Sequence, residues 1–201
     1  MQGQKPLETS EWLTAENPKG TQKFKGNAGK LADLISALNY RACALVHETS
    51  ALLVGKPSLE GWNSLVPLAV EPMALAYGEA FALGAYAEFT QTVEDANTRT
   101  FLEKFGLIYG CMKIVEYAGF YRAADYMSTD QVDSAKDVII NLCAELKKDL
   151  LLLTDCLPFQ EQVVAGALGH KDGRVYTHFL NNVYAAPKAF ERAEWWKSIY
   201  E

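Results

Sequence analysis

The sequence predicts an all-α fold, a helical bundle, and three observations carry that prediction. Apolar residues recur at spacings of three and four along several long stretches, the period of an α-helix with one buried face. No stretch alternates with a period of two over a strand's length. Turn signals, among them Gly55-Lys56-Pro57, Gly169 and Pro187, fall between the periodic stretches. The length, 201 residues, suits one domain with a sizeable core, and 49% apolar with 22% charged residues is a globular composition. The expected organisation is a loosely ordered leading segment over residues 1–26, onto which Trp12 and Leu13 can dock, and one bundle over 27–201.

The first helix is expected from about Ala28 to Val54, with Leu31, Leu34, Ile35, Leu38, Ala42, Leu45 and Val46 on one stripe. Gly55 and Pro57 end it. A second helical region covers about Leu59 to Val93. It is rich in alanine and poor in charge, which places it in the middle of the bundle, and Pro72 either starts its main helix or kinks it. Its most apolar part, Leu65 to Leu83, carries Glu71 and Glu79, and two carboxylates argue against a membrane span. A third helix is expected with Asn97 as its cap and Phe101, Leu102, Phe105, Ile108 and Met112 on its stripe. After an aromatic, less regular stretch from Tyr117 to Met127, Ser128 and Gln131 read as a capping box. The fourth helix follows, with Val132, Ala135, Val138, Ile139, Leu142 and Leu146 in register. The apolar run Leu150 to Leu153 suggests a helix end buried on all sides. Shorter helices are expected over Phe159 to Leu168, over Arg174 to about Tyr184 with Asp172 as cap, and over Pro187 to Tyr200. The aromatics of that last piece, Phe190, Trp195, Trp196 and Tyr200, are either its packing face or an interface.

The net charge of −6 and the lack of a basic run argue against a nucleic-acid partner. The first residues lack the apolar core of a secretory signal. Cys43, Cys111, Cys143 and Cys156 form no C-x-x-C pair; they read as buried free thiols, with a disulfide as the alternative. Neither phosphate-cradling glycine loop nor H-E-x-x-H occurs, so no metal or cofactor residues are assigned. His47 reads as an ordinary helix residue. Glu71, Glu79, Glu88 and Glu116 lie in apolar helices and read as paired or solvated. Glu79, beside Tyr77, Ala80 and Phe81, is the strongest candidate for a buried carboxylate with a raised pKa, able to act as a base.

Near the C-terminus, Asp172-Gly173-Arg174-Val175-Tyr176 followed by Phe179 is similar to the DG-x-VY signature of the acyl-CoA oxidases. Asp149 to Asp155, Leu107-Ile108-Tyr109-Gly110, Glu116-Tyr117-Ala118-Gly119 and Gly61-Trp62-Asn63 resemble further segments of that family, in the same order, over roughly residues 27–185. The chain thus resembles the C-terminal helical domain of peroxisomal acyl-CoA oxidases. The resemblance implies a parent enzyme that uses FAD to convert acyl-CoA to trans-2-enoyl-CoA, giving hydrogen peroxide, in fatty-acid β-oxidation. It also implies that the flavin site and the catalytic glutamate belong to other domains. No catalytic residue is therefore carried over, and no FAD is expected on this chain alone. Its implied role is burial and assembly, with the remaining oxidase domains or a partner subunit as partner, in an oligomer. Gly169-His170-Lys171 departs from the family pattern, and Ser198-Ile199-Tyr200-Glu201 is not a peroxisomal address. Peroxisomal location is thus inherited from the family only. The alternative is a non-catalytic structural subunit of a larger assembly, for example a mitochondrial one.

Overall fold

A computed structural model describes residue 13 and residues 16–55, 58–156 and 166–199. Trp12, Pro57 and most of the helix expected over Phe159 to Leu168 lie outside the described residues, as does Tyr200. The described residues are helical with no strand. They fall into two compact units, within residues 1–145 and 146–201.

In the first unit, α1 runs Leu31–Leu53, α2 Ser58–Leu65, α3 Glu71–Gln91, α4 Ala96–Glu116, α5 Ala118–Ala123 and α6 from Thr129 to its end at Leu146. The period-3.6 stripe of α1 is the centre of the core. Leu34, Ala37 and Leu38 are fully buried, against Leu83 of α3, Cys111 and Ile114 of α4 and Tyr121 of α5. α1, α3 and α4 pack against one another as a three-helix sheaf. Close approach of α4 depends on glycine. A methyl group added at Gly110 would stand 2.9 Å from Leu34 Cδ1 and 3.1 Å from Leu83 Cδ2.

Pro72 starts α3 rather than kinking it. The reason lies one turn earlier. Pro67 and Pro72 have no N–H to give, and between them the backbone widens into a π-helical turn over Val66–Val70, in which the Glu71 N–H donates to the Val66 carbonyl. The buried Thr49 hydroxyl of α1 donates to the Ala69 carbonyl at 3.2 Å. The span Leu59–Gln91 is long and apolar enough to cross a membrane by length and composition. Within this unit, however, α3 lies along α1 and α4 and carries Glu79 in an ion pair.

Local signals differ in how they are realised. Ser128 and Gln131 form the expected capping box: the Ser128 N–H donates to the Gln131 side chain at 2.9 Å, and the Gln131 N–H to Ser128 Oγ at 3.2 Å. The cap of α4 is Asp95, not Asn97. Its carboxylate accepts the Thr98 N–H at 2.6 Å, so the helix starts one residue before the expected cap. Part of the segment expected to be loose is tied down. Phe24 is buried, its N–H donates to the Tyr126 carbonyl, and its own carbonyl accepts from the Gln131 side chain. Tyr126 stacks on Tyr40 with ring centroids 3.6 Å apart.

In the second unit a 3-10 turn at Lys147–Asp149 leads into α7, Leu150–Cys156; a further 3-10 turn spans Ala167–Gly169, and α8 spans Val175–Ala185. The continuous helix expected from Pro187 does not form. The chain turns at Lys188, whose φ is +63°, and only a 3-10 segment, Glu194–Ile199, follows. The run Leu150 to Leu152 is exposed rather than buried, because no described residue of its own unit covers this short helix. None of the described residues from 147 to 199 is buried. All four cysteines are free thiols; Cys43 and Cys111 are buried, but Cys143 and Cys156 are exposed, which corrects the expectation of four buried thiols.

Candidate functional site

Glu79 sits on the face of α3 that meets α1 and α4, and both of its oxygens are engaged. Oε2 accepts from Arg41 Nη1 of α1 at 2.6 Å. Oε1 lies 2.9 Å from Lys113 Nζ of α4 and accepts the Tyr117 hydroxyl at 3.2 Å. The Arg41 guanidinium lies over the Tyr117 ring, 3.2 Å from its centroid. Lys113 also pairs with Glu116 at 2.7 Å. The hydrogen bonds to Glu116 and then to Glu79 push the Lys113 ammonium above its ordinary range, and Lys113 in turn lowers Glu116. Burial pushes the Tyr117 phenol up. With two cations and a hydroxyl on its oxygens, Glu79 is the centre of a three-helix ion cluster. Glu71 and Glu88 are exposed.

A cavity of about 290 Å³ opens between α3 and α4, lined by Ala82, Leu83, Tyr86, Phe105, Gly106 and Tyr109. Its walls are apolar. The Tyr86 hydroxyl already donates to the Leu102 carbonyl at 2.8 Å. A flavin dinucleotide needs donors for its pyrophosphate and a larger, flat slot for its ring. This cavity is small and its lining almost wholly apolar, so these residues do not fit FAD. Among the described residues no group of three or more histidine, cysteine or acidic side chains is placed to hold a metal.

The signature residues gather at the start of α8. Gly173 takes the left-handed conformation, φ +70°, which turns the chain into the helix. Asp172 is not the formal cap but acts close to it. Its Oδ1 accepts the Arg174 N–H at 3.0 Å, and its two oxygens lie 3.0 and 2.9 Å from His178 Nε2. The Arg174 backbone bond, then His178, hold the Asp172 carboxyl well below its usual range. His170 stacks on His178 with centroids 3.6 Å apart. Val175 is half-buried, whereas Tyr176 and Phe179 are exposed. Of the sequence candidates, then, Asp172 and Gly173 build one turn, Tyr176 and Phe179 face outward, and Glu79 belongs to a separate cluster. The partners of Glu79 were missed by sequence reading, and so was the Asp172–His178 pair. The latter had a signal, since an aspartate before a helix and a histidine one turn in can meet.

A family model described as acyl-CoA oxidase matches residues 30–201. Human peroxisomal acyl-coenzyme A oxidase 3 is 25% identical over 204 residues, covering 95% of this chain and 29% of that protein. Rabbit peroxisomal acyl-coenzyme A oxidase 2 is 26% identical over 144 residues, covering 71% of this chain and 21% of its own length. Among solved structures, the tomato acyl-CoA oxidase superposes with a TM-score of 0.83 at 19% identity over 100% of this chain and 32% of that one. Acyl-CoA oxidase-2 of Caenorhabditis elegans, solved with FAD, ascaroside-CoA and ATP, gives 0.80 at 15% identity, covering 97% and 29%. The chain therefore spans about two- to three-tenths of the length of these relatives, and it belongs to the acyl-CoA oxidase family as a helical domain.

Proposed function

We propose that this chain is the helical domain with which a flavin-dependent acyl-CoA oxidase completes its body, serving burial and assembly while other domains perform the chemistry. In the whole enzyme, an acyl-CoA loses two hydrogens from its α and β carbons to FAD. The reduced flavin then passes two electrons and two protons to oxygen, giving trans-2-enoyl-CoA and hydrogen peroxide. The observation that carries this reading is the amount of apolar surface left uncovered. α3 is apolar on nearly all sides, yet Leu75, Phe81 and Phe89 are half exposed, and Leu68 just before it is 86% exposed. Among the described residues of the second unit only Leu146 is buried, so those residues supply little core of their own. Surfaces of this kind mark interfaces. The flavin-bearing relative supports FAD as the cofactor of the whole protein. The peroxisomal names of the curated relatives favour that compartment and leave the mitochondrial alternative without support.

The test is complementation. The portion of human peroxisomal acyl-coenzyme A oxidase 3 outside the match is purified and assayed for peroxide release from an acyl-CoA, with and without this chain. Peroxide that requires both polypeptides is expected. Peroxide from this chain alone contradicts the reading, and stable recovery with a fixed set of subunits that are not flavoproteins favours the structural-subunit alternative instead.

A further inference from the structure

We infer that the cavity between α3 and α4 is a binding site for a small, uncharged, apolar molecule. Small residues make the space: Ala82 lines it from α3 and Gly106 from α4. A methyl group added at Gly106 would stand 3.1 Å from Tyr86 Cε1 and 3.1 Å from Leu31 Cδ1, so glycine is what lets the Tyr86 ring lie across α4 at this level. The walls are already fixed. The Tyr86 hydroxyl donates to the Leu102 carbonyl at 2.8 Å, which pins the ring to α4. Phe105 meets Phe101 edge-on, with centroids 5.2 Å apart. Leu83 and Gly106 are buried. Walls that need no reordering keep the cost of binding low. Ala82 is exposed, so the cavity is open to solvent on its side.

Chemistry and volume select the occupant. The lining is alanine, leucine, glycine and three aromatic rings, and none of these side chains is charged at neutral pH. Burial pushes the phenols of Tyr86 and Tyr109 up, so a new charge is disfavoured there too. An ion entering the cavity would give up its hydration for no partner. An apolar molecule leaves water and gains ring contacts instead. At ~30 Å³ for each water-sized group, the volume of about 290 Å³ holds about ten non-hydrogen atoms. That excludes a nucleotide or a whole coenzyme and admits a single substituted ring or a short hydrocarbon.

The experiment titrates the whole 201-residue chain with toluene, and separately with benzoate as its charged counterpart, by carbon–proton NMR. Toluene is expected to saturate with a Kd of about 1 mM, shifting the Leu83 methyl and Tyr86 ring signals. Benzoate is expected to bind at least about 10-fold more weakly. Ala82→Leu fills part of the space and is expected to weaken toluene at least about 10-fold, with far-UV circular dichroism checking that its helices are kept. If that variant loses helix, Ala82→Met replaces it, with the same expectation. Shifts that do not saturate, or that spread to the exposed Leu75 and Phe89, mean adsorption to apolar surface and overturn the site. Equal binding of benzoate overturns the ligand class. Unchanged toluene binding in the folded Ala82 variant overturns the location. Displacement of toluene by the unmatched portion of human peroxisomal acyl-coenzyme A oxidase 3 makes a side chain of that portion the occupant and overturns the assignment.

Discussion

Replacing Glu79 with alanine removes the carboxylate that Arg41 and Lys113 share. The Arg41 side chain is only 4% exposed, so its guanidinium keeps its desolvation cost and loses its counter-charge. Breaking a buried pair from one side costs about 3–5 kcal/mol. Lys113 is 21% exposed and retains Glu116, which moves the expectation to the lower end, about 3 kcal/mol. That is more than 100-fold in the folding constant. With an m-value of ~2 kcal/mol/M, the urea midpoint of the first unit falls by about 1.5 M. The double replacement Arg41→Met with Glu79→Leu removes both charges and fills the space with apolar atoms, and its cost is expected to be about 1 kcal/mol or less. The assay is urea unfolding followed by far-UV circular dichroism. A single variant that costs less than about 1 kcal/mol, or a double variant that costs as much as the single, refutes the view that Glu79 exists to neutralise Arg41.

Two glycines on neighbouring helices should respond with opposite signs. Gly110→Ala forces a methyl against Leu34 and Leu83 and should destabilise by about 1–2 kcal/mol, net of helix propensity. Gly78→Ala meets nothing within 4 Å and should stabilise by about 0.5–1 kcal/mol, both read by thermal unfolding. A thiol reagent applied to the folded chain should modify Cys143 and Cys156 quickly. Cys43 and Cys111 should react only on unfolding, since both are buried and burial pushes the Cys111 thiol up to about 12. The Asp95 carboxyl is lowered by the hydrogen bonds from Thr98. A depressed folded pKa gives stability that is present above the ordinary carboxylate range and is lost as pH falls below it. Melting temperature should therefore drop less between pH 5 and pH 2 in Asp95→Asn than in the unaltered chain, with the difference confined to that acid window.

The core was legible where one helix face carries the signal. Leu34 and Leu38 lie on the 3.6-residue stripe of α1, and the Ser128–Gln131 box is local to four residues, so both could be read directly; on α4 the buried face instead runs through Gly106, Gly110, Cys111 and Ile114, and Met112 of the expected stripe is exposed. The π-helical turn was not legible. Val66 to Val70 is apolar throughout, and only the joint loss of two proline N–H donors reveals the widened backbone. Asp95 and Asn97 are both good cap types two residues apart, and in the fold it is the Asp95 carboxylate that accepts an N–H three residues on, from Thr98. Which groups pair with Glu79 was not legible, because its partners stand 38 positions away at Arg41 and on another helix at Lys113. Pairing of that kind appears only when three helices have been packed. The run Leu150 to Leu153 misled for a related reason. Apolarity says that a surface is to be covered, but not whether the cover lies in the same chain.

The most direct measurement of the central claim is the flavin content of the purified chain. The chain is saturated with FAD, passed through a desalting column, and its visible absorbance is compared with its protein concentration. The small size and apolar lining of the cavity predict a colourless protein with no retained flavin. One flavin retained per chain, with peroxide formed on addition of an acyl-CoA, would contradict the account.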